Sequence, residues 1–198
     1  MDNQAMYKIS YGLYVLTAKE NERDNGCIVN TVMQVTSTPN RIAVTVNKDN
    51  LTHDMIKNTG SFNVSVLTEG AEFKTFENFG FQSGREADKF AEITFARSEN
   101  GIVYLTEQVN AVISGKVINE VDLGTHTMFI ADVTDASVLS EAEPVTYRYY
   151  QEHIKPAPEK KAKGYICVIC GYIYEGEELP ADFICPICKH GVSDFKKL

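Results

Sequence analysis

Four of the five cysteines lie close together near the end of the chain, in the segment YICVICGYIYEGEELPADFICPIC at residues 165–188. They form two C-x-x-C pairs, Cys167 with Cys170 and Cys185 with Cys188, and fourteen residues separate the pairs. A C-x-x-C turn directs two sulfur atoms at one ion, and two such turns complete a tetrahedron of ligands. The spacing therefore predicts a metal site with four cysteine ligands rather than disulfides.

This spacing leaves the identity of the metal open, because zinc and iron both accept four thiolates in a tetrahedral arrangement. Gly171 follows Cys170, so this turn can adopt a positive φ and direct backbone N–H groups at sulfur, which tunes a redox metal. Four aromatic residues could exclude water from the ion: Tyr165, Tyr172, Tyr174 and Phe183. A zinc ribbon also contains a turn glycine and core aromatics, so neither metal is excluded on these grounds.

The segment closely resembles rubredoxin through the patterns Y-x-C-x-x-C-G-x-I-Y and D-F-x-C-P-x-C. The resemblance covers residues 165–198 and implies one iron that is held by four cysteinates and carries one electron at a time. Two features depart from the family. The segment between the cysteine pairs is shorter than in free-standing rubredoxins, and Lys189 follows the fourth cysteine where rubredoxins usually have glycine. A lysine at positive φ costs about 1 kcal/mol, so we expect the second turn to differ in detail from the first, together with its N–H···S bonds and the reduction potential.

The composition of the whole chain is that of a water-soluble globular protein. It has 198 residues, 43% of them hydrophobic, and a formal net charge of −8. This negative charge argues against nucleic acid as a partner, because phosphate-backbone binding needs basic surfaces. The sequence has neither the apolar segment of a signal peptide nor an apolar run long enough to span a membrane, so we expect a cytoplasmic protein.

A change in composition divides the chain into two predicted domains. Residues 151–164 include four lysines and two prolines and lack a face that could be buried, so we interpret them as a linker. Residues 1–150 are rich in strand-forming segments, which predict a mainly β, antiparallel, closed or partly closed barrel. Residues 165–198 are too few to fold on hydrophobic burial alone, so the metal is expected to stabilise this small domain.

Two short helices are expected within the first domain. One begins near Thr52, a possible N-cap, and ends at Gly60. The other spaces three phenylalanines at intervals of three residues and ends at Gly80.

Three polar stretches of the first domain could bind a phosphorylated ligand. The first lies inside a strand-like segment: Asn30, Thr31, Gln34, Thr36 and Ser37. The second lies at a strand-to-helix junction, where N–H groups bind phosphate: Asn47, Lys48, Asn50 and Thr52. The third is a loop: Ser83, Gly84, Arg85 and Lys89. The threonine-rich stretch could equally be an exposed strand face, and the third a solvated charged turn.

Residues 1–150 also resemble the flavin reductase family through GCIVNTVMQVTSTPNRIAVTVNKDNLTHDMIKNTGSFNVSVL, FGFQSGREADKF and GTHTMFIADV. This resemblance implies a split β-barrel that binds FMN and forms a homodimer. It implies that residues 30–39 lie along the flavin ring and ribityl chain, and that residues 47–52 meet the phosphate. It also implies that the Ser83–Arg85 loop lies near the flavin, and His126 near the flavin or the dimer interface.

Other residues allow both functional and structural interpretations. His126 could act at the flavin or simply donate a structural hydrogen bond. We interpret Cys27 as a small buried hydrophobic residue. Three tyrosines precede the linker and are expected to close the barrel rather than stack on flavin: Tyr147, Tyr149 and Tyr150.

The two resemblances together predict an electron-transfer enzyme. NADH or NADPH delivers two electrons as a hydride and one iron accepts a single electron, so FMN can stand between them. This domain order resembles the high-molecular-weight rubredoxins of anaerobic bacteria, which implies a flavodiiron protein as acceptor and reduction of dioxygen or nitric oxide. Two alternatives remain: a flavin-binding protein with a zinc-ribbon docking module, or a reductase of free flavin with an inert second domain.

Overall fold

The computed structural model describes residues 2–156 and 164–198 and divides the chain into two compact units, Met1–Lys155 and Pro156–Leu198. Half of the predicted linker, residues 157–163, lies outside the described residues. Its first residues instead belong to the first unit, where Tyr150–Ile154 form a π-helical turn. The proposed boundaries at 150 and 165 stay predictions.

The first unit is built on one antiparallel sheet of seven strands, in the order β2-β1-β5-β8-β9-β4-β3. Those strands are β1 Tyr14–Glu20, β2 Arg23–Val29, β3 Val32–Ser37, β4 Asn40–Asn47, β5 Ser61–Leu67, β8 Val109–Asp122 and β9 His126–Val138. Strands β2 and β3 follow one another in the chain, yet they form the two edges of the sheet. The sheet therefore curls until its edges approach, which confirms the predicted antiparallel split β-barrel.

Alternating side chains of these strands fill the barrel. On β4, the residues Ile42, Val44 and Val46 point into one core cluster together with Phe62 and Phe129. A second cluster, beside the helix α2 Phe73–Gly80, includes Leu13, Val15, Phe76, Phe79 and Tyr150. The small pair β6 Phe95–Arg97 and β7 Val103–Leu105, which the sequence analysis missed, places Val103 in this second cluster.

Both predicted helices are present, with one difference at the start of the first. Helix α1 spans Leu51–Thr59 and ends at Gly60, whose φ of 68° confirms the predicted stop. Its N-cap is Asn50 rather than Thr52, so that part of the prediction was wrong. The physical reason is that the Thr52 hydroxyl is fully buried and accepts a hydrogen bond from Asn25. Helix α2 ends at Gly80 as predicted.

The end of the first unit packs on α2. The turn α3 Tyr147–Tyr149 leads into the π-helical turn, and the rings of Tyr150 and Phe76 lie 4.5 Å apart. Tyr150 is buried, in agreement with a role in closing the barrel. A 3₁₀ helix, Asn3–Lys8, precedes β1. Among the described residues, no helix combines the length and the apolar character that crossing a bilayer requires.

The second unit is a three-stranded sheet with two cysteine turns. Its strands are β10 Tyr165–Cys167, β11 Ile173–Tyr174 and β12 Phe195–Lys197, in the order β11-β10-β12, and a 3₁₀ turn spans Val192–Asp194. Phe183 is the centre of the aromatic core, because its ring contacts those of Tyr172, Tyr174 and Phe195 at 6.3, 4.7 and 5.4 Å. Tyr165 extends the sheet opposite Tyr174.

Candidate metal centre and flavin site

The four cysteine sulfurs of the second unit form one cluster, in which all the Sγ atoms lie within 4.8 Å of one another. Cys167 lies 3.5 Å from Cys188, and Cys170 lies 3.5 Å from Cys185, measured between sulfurs. A tetrahedron with metal–sulfur bonds of about 2.3 Å has edges of about 3.8 Å. The cluster therefore fits a single tetrahedral ion without rearrangement of the chain.

Backbone hydrogen bonds hold both cysteine turns in matching conformations. In the first turn, Gly171 N–H donates to Cys167 O at 2.8 Å, and Cys167 N–H donates to Tyr172 O at 2.8 Å. The second turn repeats this pattern through Lys189 and His190. The φ of Lys189 is +61°, so the second turn keeps the backbone conformation of the first, where the sequence analysis expected a difference.

The electrostatics of the cluster call for a cation. The thiols of Cys170 and Cys188, together with backbone N–H groups, stabilise the Cys167 thiolate and lower its pKa to about 2. That negative charge in turn raises the pKa of Cys170 to about 12 and also raises the pKa of Cys188. Four thiolates therefore cannot coexist here without a positive ion, which is the role of a metal.

In the first unit, the predicted loop Ser83–Arg85 lies beside the first turn of α1. Gly84 is buried, and a methyl group in its place would overlap the amide of Asn25. The same amide donates to Thr52 Oγ1 at 2.9 Å, and the Arg23 guanidinium donates to Gly84 O. Asn25 thus connects the loop to the helix, which brings two of the three predicted polar stretches together.

A chain of hydrogen bonds crosses the same region from the surface to β9. Arg85 Nη2 donates to Asp54 Oδ2 at 2.6 Å, and Asp54 Oδ1 lies 3.1 Å from His53 Nδ1. The other ring nitrogen of His53 lies 2.9 Å from the Thr127 hydroxyl, and the ring contacts Phe129 at 5.6 Å. Arg85 is therefore held against α1 by an ion pair.

The strand-to-helix junction retains its polar groups at the surface. Lys48 Nζ donates to Asp122 at 2.7 Å, and Asn47 Oδ1 accepts from the Asp49 N–H at 2.9 Å. His126 lies opposite Asn47 on the adjacent strand, with Nδ1 2.9 Å from the Thr125 hydroxyl. This pairing brings His126 to the junction, and its place near the flavin or the dimer interface stays a prediction.

The first polar stretch lies partly apart from this junction. Thr31 Oγ1 donates to Thr45 O at 2.7 Å, and Asn30 is half-buried beside it in the chain. Gln34, Thr36 and Ser37 are exposed on the edge strand β3. Their assignment as flavin contacts remains a prediction.

Lys89 is placed differently from the other predicted phosphate ligands. It is 5% exposed, and its ammonium donates to Gly26 O at 2.9 Å and to Phe79 O at 3.1 Å. Burial lowers the pKa of Lys89, whereas the neighbouring Cys27 raises it. Burial also raises the pKa of the Cys27 thiol, in agreement with a structural residue. The geometry favours a structural role for Lys89 over phosphate binding.

We expect the substitution Lys89→Met to destabilise the first unit by about 1–3 kcal/mol, because two buried carbonyls lose their donor. Lys74→Met is the matched control, since the Lys74 side chain is 70% exposed and forms an ion pair with Glu92 at the surface. The control should stay within about 0.5 kcal/mol of wild type. The measurement is denaturant unfolding alongside FMN titration. Weaker FMN binding at unchanged stability would indicate a phosphate contact instead.

The Asp54–Arg85 pair predicts a pH dependence of stability. Partial burial favours a higher pKa for Asp54, but hydrogen bonds from Arg85 and His53 outweigh it and lower the pKa. The ion pair thus contributes to the free energy of unfolding above the unfolded pKa of Asp54, about 3.9. This contribution is lost as the pH falls through the lower pKa of the folded state. The Asp54–Arg85 ion pair contributes less than about 1 kcal/mol to stability, because both side chains are about half exposed.

The variant Asp54→Asn should therefore lose stability at pH 7 but not at pH 2, as followed by denaturant midpoints at both values. Asp49→Asn offers a control at an exposed carboxylate of the preceding turn. Equal losses for Asp54→Asn at both pH values would contradict the ion-pair account.

Sequence analysis missed four residues of this region: Asn25, His53, Asp54 and Thr127. Asn25 follows Arg23 and Asp24 at the polar start of β2, so the sequence carries no local signal that its side chain is buried. His53 and Asp54 directly follow Thr52 in the chain, whereas their partners are 74 and 31 residues away. Only the folded sheet brings those partners together.

Comparison with known proteins identifies both units. The model of the family described as "Flavin reductase like domain" matches residues 6–158. The chain belongs to this family. The model described as "Rubrerythrin, rubredoxin-like domain" matches residues 165–196, which include all four clustered cysteines. The chain is therefore an oxidoreductase that combines a flavin-dependent domain with a rubredoxin-like iron domain.

Three similar proteins can be compared with this chain, and the alignment with the first covers both units. A high molecular weight rubredoxin of Moorella thermoacetica is 39% identical, and the alignment covers 100% of both chains. A ferric-chelate reductase (NAD(P)H) of Archaeoglobus fulgidus is 45% identical over 76% of this chain and 89% of its own. The solved NADH:FAD oxidoreductase SgcE6 of Streptomyces globisporus is 22% identical, has a TM-score of 0.66, and covers 72% of this chain and 83% of its own, which supports the fold alone.

Proposed function

We propose that the protein passes electrons from NADH or NADPH through FMN to one iron held by Cys167, Cys170, Cys185 and Cys188. The observation that carries this proposal is the presence, on one chain, of a flavin reductase-like domain and a cluster of four cysteine sulfurs. A hydride carries two electrons and one iron accepts one. Bound FMN can take up the pair and release its electrons singly, so both parts are needed on one path.

The residues proposed to hold FMN surround the first turn of α1. The first N–H groups of a helix lack intrahelical acceptors and favour a phosphate. In α1, His53 N–H already donates to Asn50 O at 3.0 Å, so the N–H groups of Leu51 and Thr52 are the ones proposed to meet the phosphate. Arg85, held beside this turn by Asp54, adds positive charge without needing to be buried. His126, opposite Asn47 on the adjacent strand, is the residue proposed to contact the flavin ring.

The proposed acceptor is a flavodiiron protein that reduces dioxygen or nitric oxide. The clustered sulfurs support a one-electron role, because Cys170 and Cys188 are half-exposed and offer an exit for the electron. The test mixes the NADH-reduced protein with a purified flavodiiron protein and follows gas consumption. Consumption that requires both proteins supports this acceptor, and reoxidation of the iron at the rate seen without the second protein contradicts it.

Metal and flavin analysis tests the electron path itself. The protein purified from its native host should contain one iron and one FMN per chain, with the red colour of a ferric tetrathiolate. Zinc in place of iron would support the docking module instead. Iron that stays oxidised while NADH bleaches the flavin would support a reductase of free flavin.

We also propose that the protein is a homodimer that pairs through an apolar part of the barrel surface. Exposed apolar side chains lie on β3, namely Met33 and Val35, and near the end of β8, namely Ile118, Val121 and Leu123. Sedimentation velocity should give twice the chain mass, and Met33→Lys should shift the equilibrium towards monomer. A wild-type monomer at micromolar concentration would contradict this proposal.

A further inference from the structure

The two cysteine turns share one backbone pattern but differ in a single residue type. Gly171 N–H donates to Cys167 O at 2.8 Å, and Lys189 N–H donates to Cys185 O at 3.0 Å. Each turn is then closed by a hydrogen bond of 2.8 Å from the N–H of its first cysteine. Cys167 N–H donates to Tyr172 O in the first turn, and Cys185 N–H donates to His190 O in the second. Lys189 thus occupies in the second turn the position that Gly171 occupies in the first.

This position requires a left-handed backbone in both turns. The φ angles are +84° at Gly171 and +61° at Lys189. Glycine adopts such angles without steric cost, whereas the Cβ of a lysine crowds the following carbonyl. Because Lys189 is exposed, burial of its side chain does not offset this cost. The positive charge is a property of lysine, absent from glycine, that can act on the metal.

Lys189 is part of the turn that carries the half-exposed ligand Cys188. Lys189 directly follows Cys188, whose side chain is half-exposed, while Cys167 and Cys185 are buried. Within residues 2–156 and 164–198, no ion pair involves the Lys189 ammonium. The ammonium is positive at neutral pH and is not neutralised by a neighbouring carboxylate.

One-electron reduction of the site adds a negative charge. One electron from the reduced flavin converts ferric to ferrous iron, and no bond forms or breaks and no proton is needed. A nearby cation stabilises the more negative, reduced state more than the oxidised state.

We propose that Lys189 raises the reduction potential of the iron and so makes it a better acceptor of flavin electrons. The inference rests on the proposed function only in that the cluster holds iron. Lys189 acts on the metal through its charge and is not itself a ligand.

The test is a spectroelectrochemical titration of the iron in the full-length holoprotein and four variants. Lys189→Asn removes the charge with a residue that tolerates positive φ, and Lys189→Gly removes both the charge and the strain. Lys189→Arg keeps both the positive charge and the backbone strain. Lys197→Gln, on β12 of the same unit, is a control for loss of any positive charge.

Lys189→Asn and Lys189→Gly should weaken the equilibrium for reduction by about twofold to tenfold, which is ~18–59 mV for one electron. Lys189→Arg and Lys197→Gln should stay at the wild-type potential. Higher ionic strength should bring the wild-type and Lys189→Asn potentials together, because salt screens exposed charges. Lys189→Gly should also raise the denaturant midpoint of the second unit.

Equal potentials in wild type and Lys189→Asn would overturn the inference. A shift in Lys189→Gly without one in Lys189→Asn would overturn it as well, because backbone geometry rather than charge would then set the potential. Failure of the proposed function is distinguishable, since wild-type protein without a ferric band would lack the iron altogether.

Discussion

Replacing Cys185 with serine should abolish the iron centre while the flavin of the same chain is still reduced by NADH. Cys185 is fully buried among the other three sulfurs, so its loss removes a ligand that no outside group can replace. Metal content should fall by more than about tenfold. The second unit, Pro156–Leu198, should then unfold, because so short a chain needs its metal. Metal analysis and the visible spectrum measure this loss.

Cys27 provides the matched control for this experiment. It is a buried cysteine of the first unit and lies outside the cluster. Cys27→Ala should keep full iron content and lose only some stability of the barrel, because it leaves a small cavity. Retention of the ferric band in Cys185→Ser would contradict the assignment of the four ligands.

Replacing Gly84 with alanine should weaken FMN binding by about tenfold to a hundredfold, a loss of about 1.4–2.8 kcal/mol. The new methyl group would overlap the Asn25 amide. Asn25 is 3% exposed and is committed to Thr52, so it cannot turn away at low cost. The loop must move instead, and it carries Arg85 away from the first turn of α1. Fluorescence titration of the apoprotein with FMN measures the effect.

Gly80→Ala is the control, because a methyl group there meets Ile28 at an ordinary contact distance of 3.5 Å. Gly80 ends α2, so alanine should leave FMN affinity unchanged and slightly favour the helix. Equal FMN affinity in Gly84→Ala and wild type would show that the loop does not position the flavin.

The metal site could be predicted from sequence because its determinants are local. Each C-x-x-C turn places two sulfurs within a few residues, and Gly171 has the positive φ that its residue type allows. The positive φ of Lys189 was not predicted, because the steric cost for a lysine pointed to a different second turn. The aromatic core was predicted in part. Phe195 was missed because it reaches Phe183 only after β12 pairs with β10, a contact that no local pattern encodes.

The flavin region was less predictable because long-range packing decides it. The strands and the helix stop at Gly60 follow from residue type and turn chemistry. Lys89 resembles a surface charge in sequence, yet its partners are Gly26 and Phe79, and the Gly26 contact depends on how α2 packs on β2. Thr52 was expected at the start of the helix, but Asn25, from a strand 27 residues earlier, holds its hydroxyl inside.

The most direct test of the central claim is anaerobic rapid mixing of the holoprotein with NADH and, separately, with NADPH. The flavin and ferric bands are followed together at several protein concentrations. We predict that the flavin band bleaches first and that the ferric band then bleaches at a rate independent of protein concentration. A ferric band that persists while the flavin is fully reduced would contradict electron transfer from the flavin to the iron.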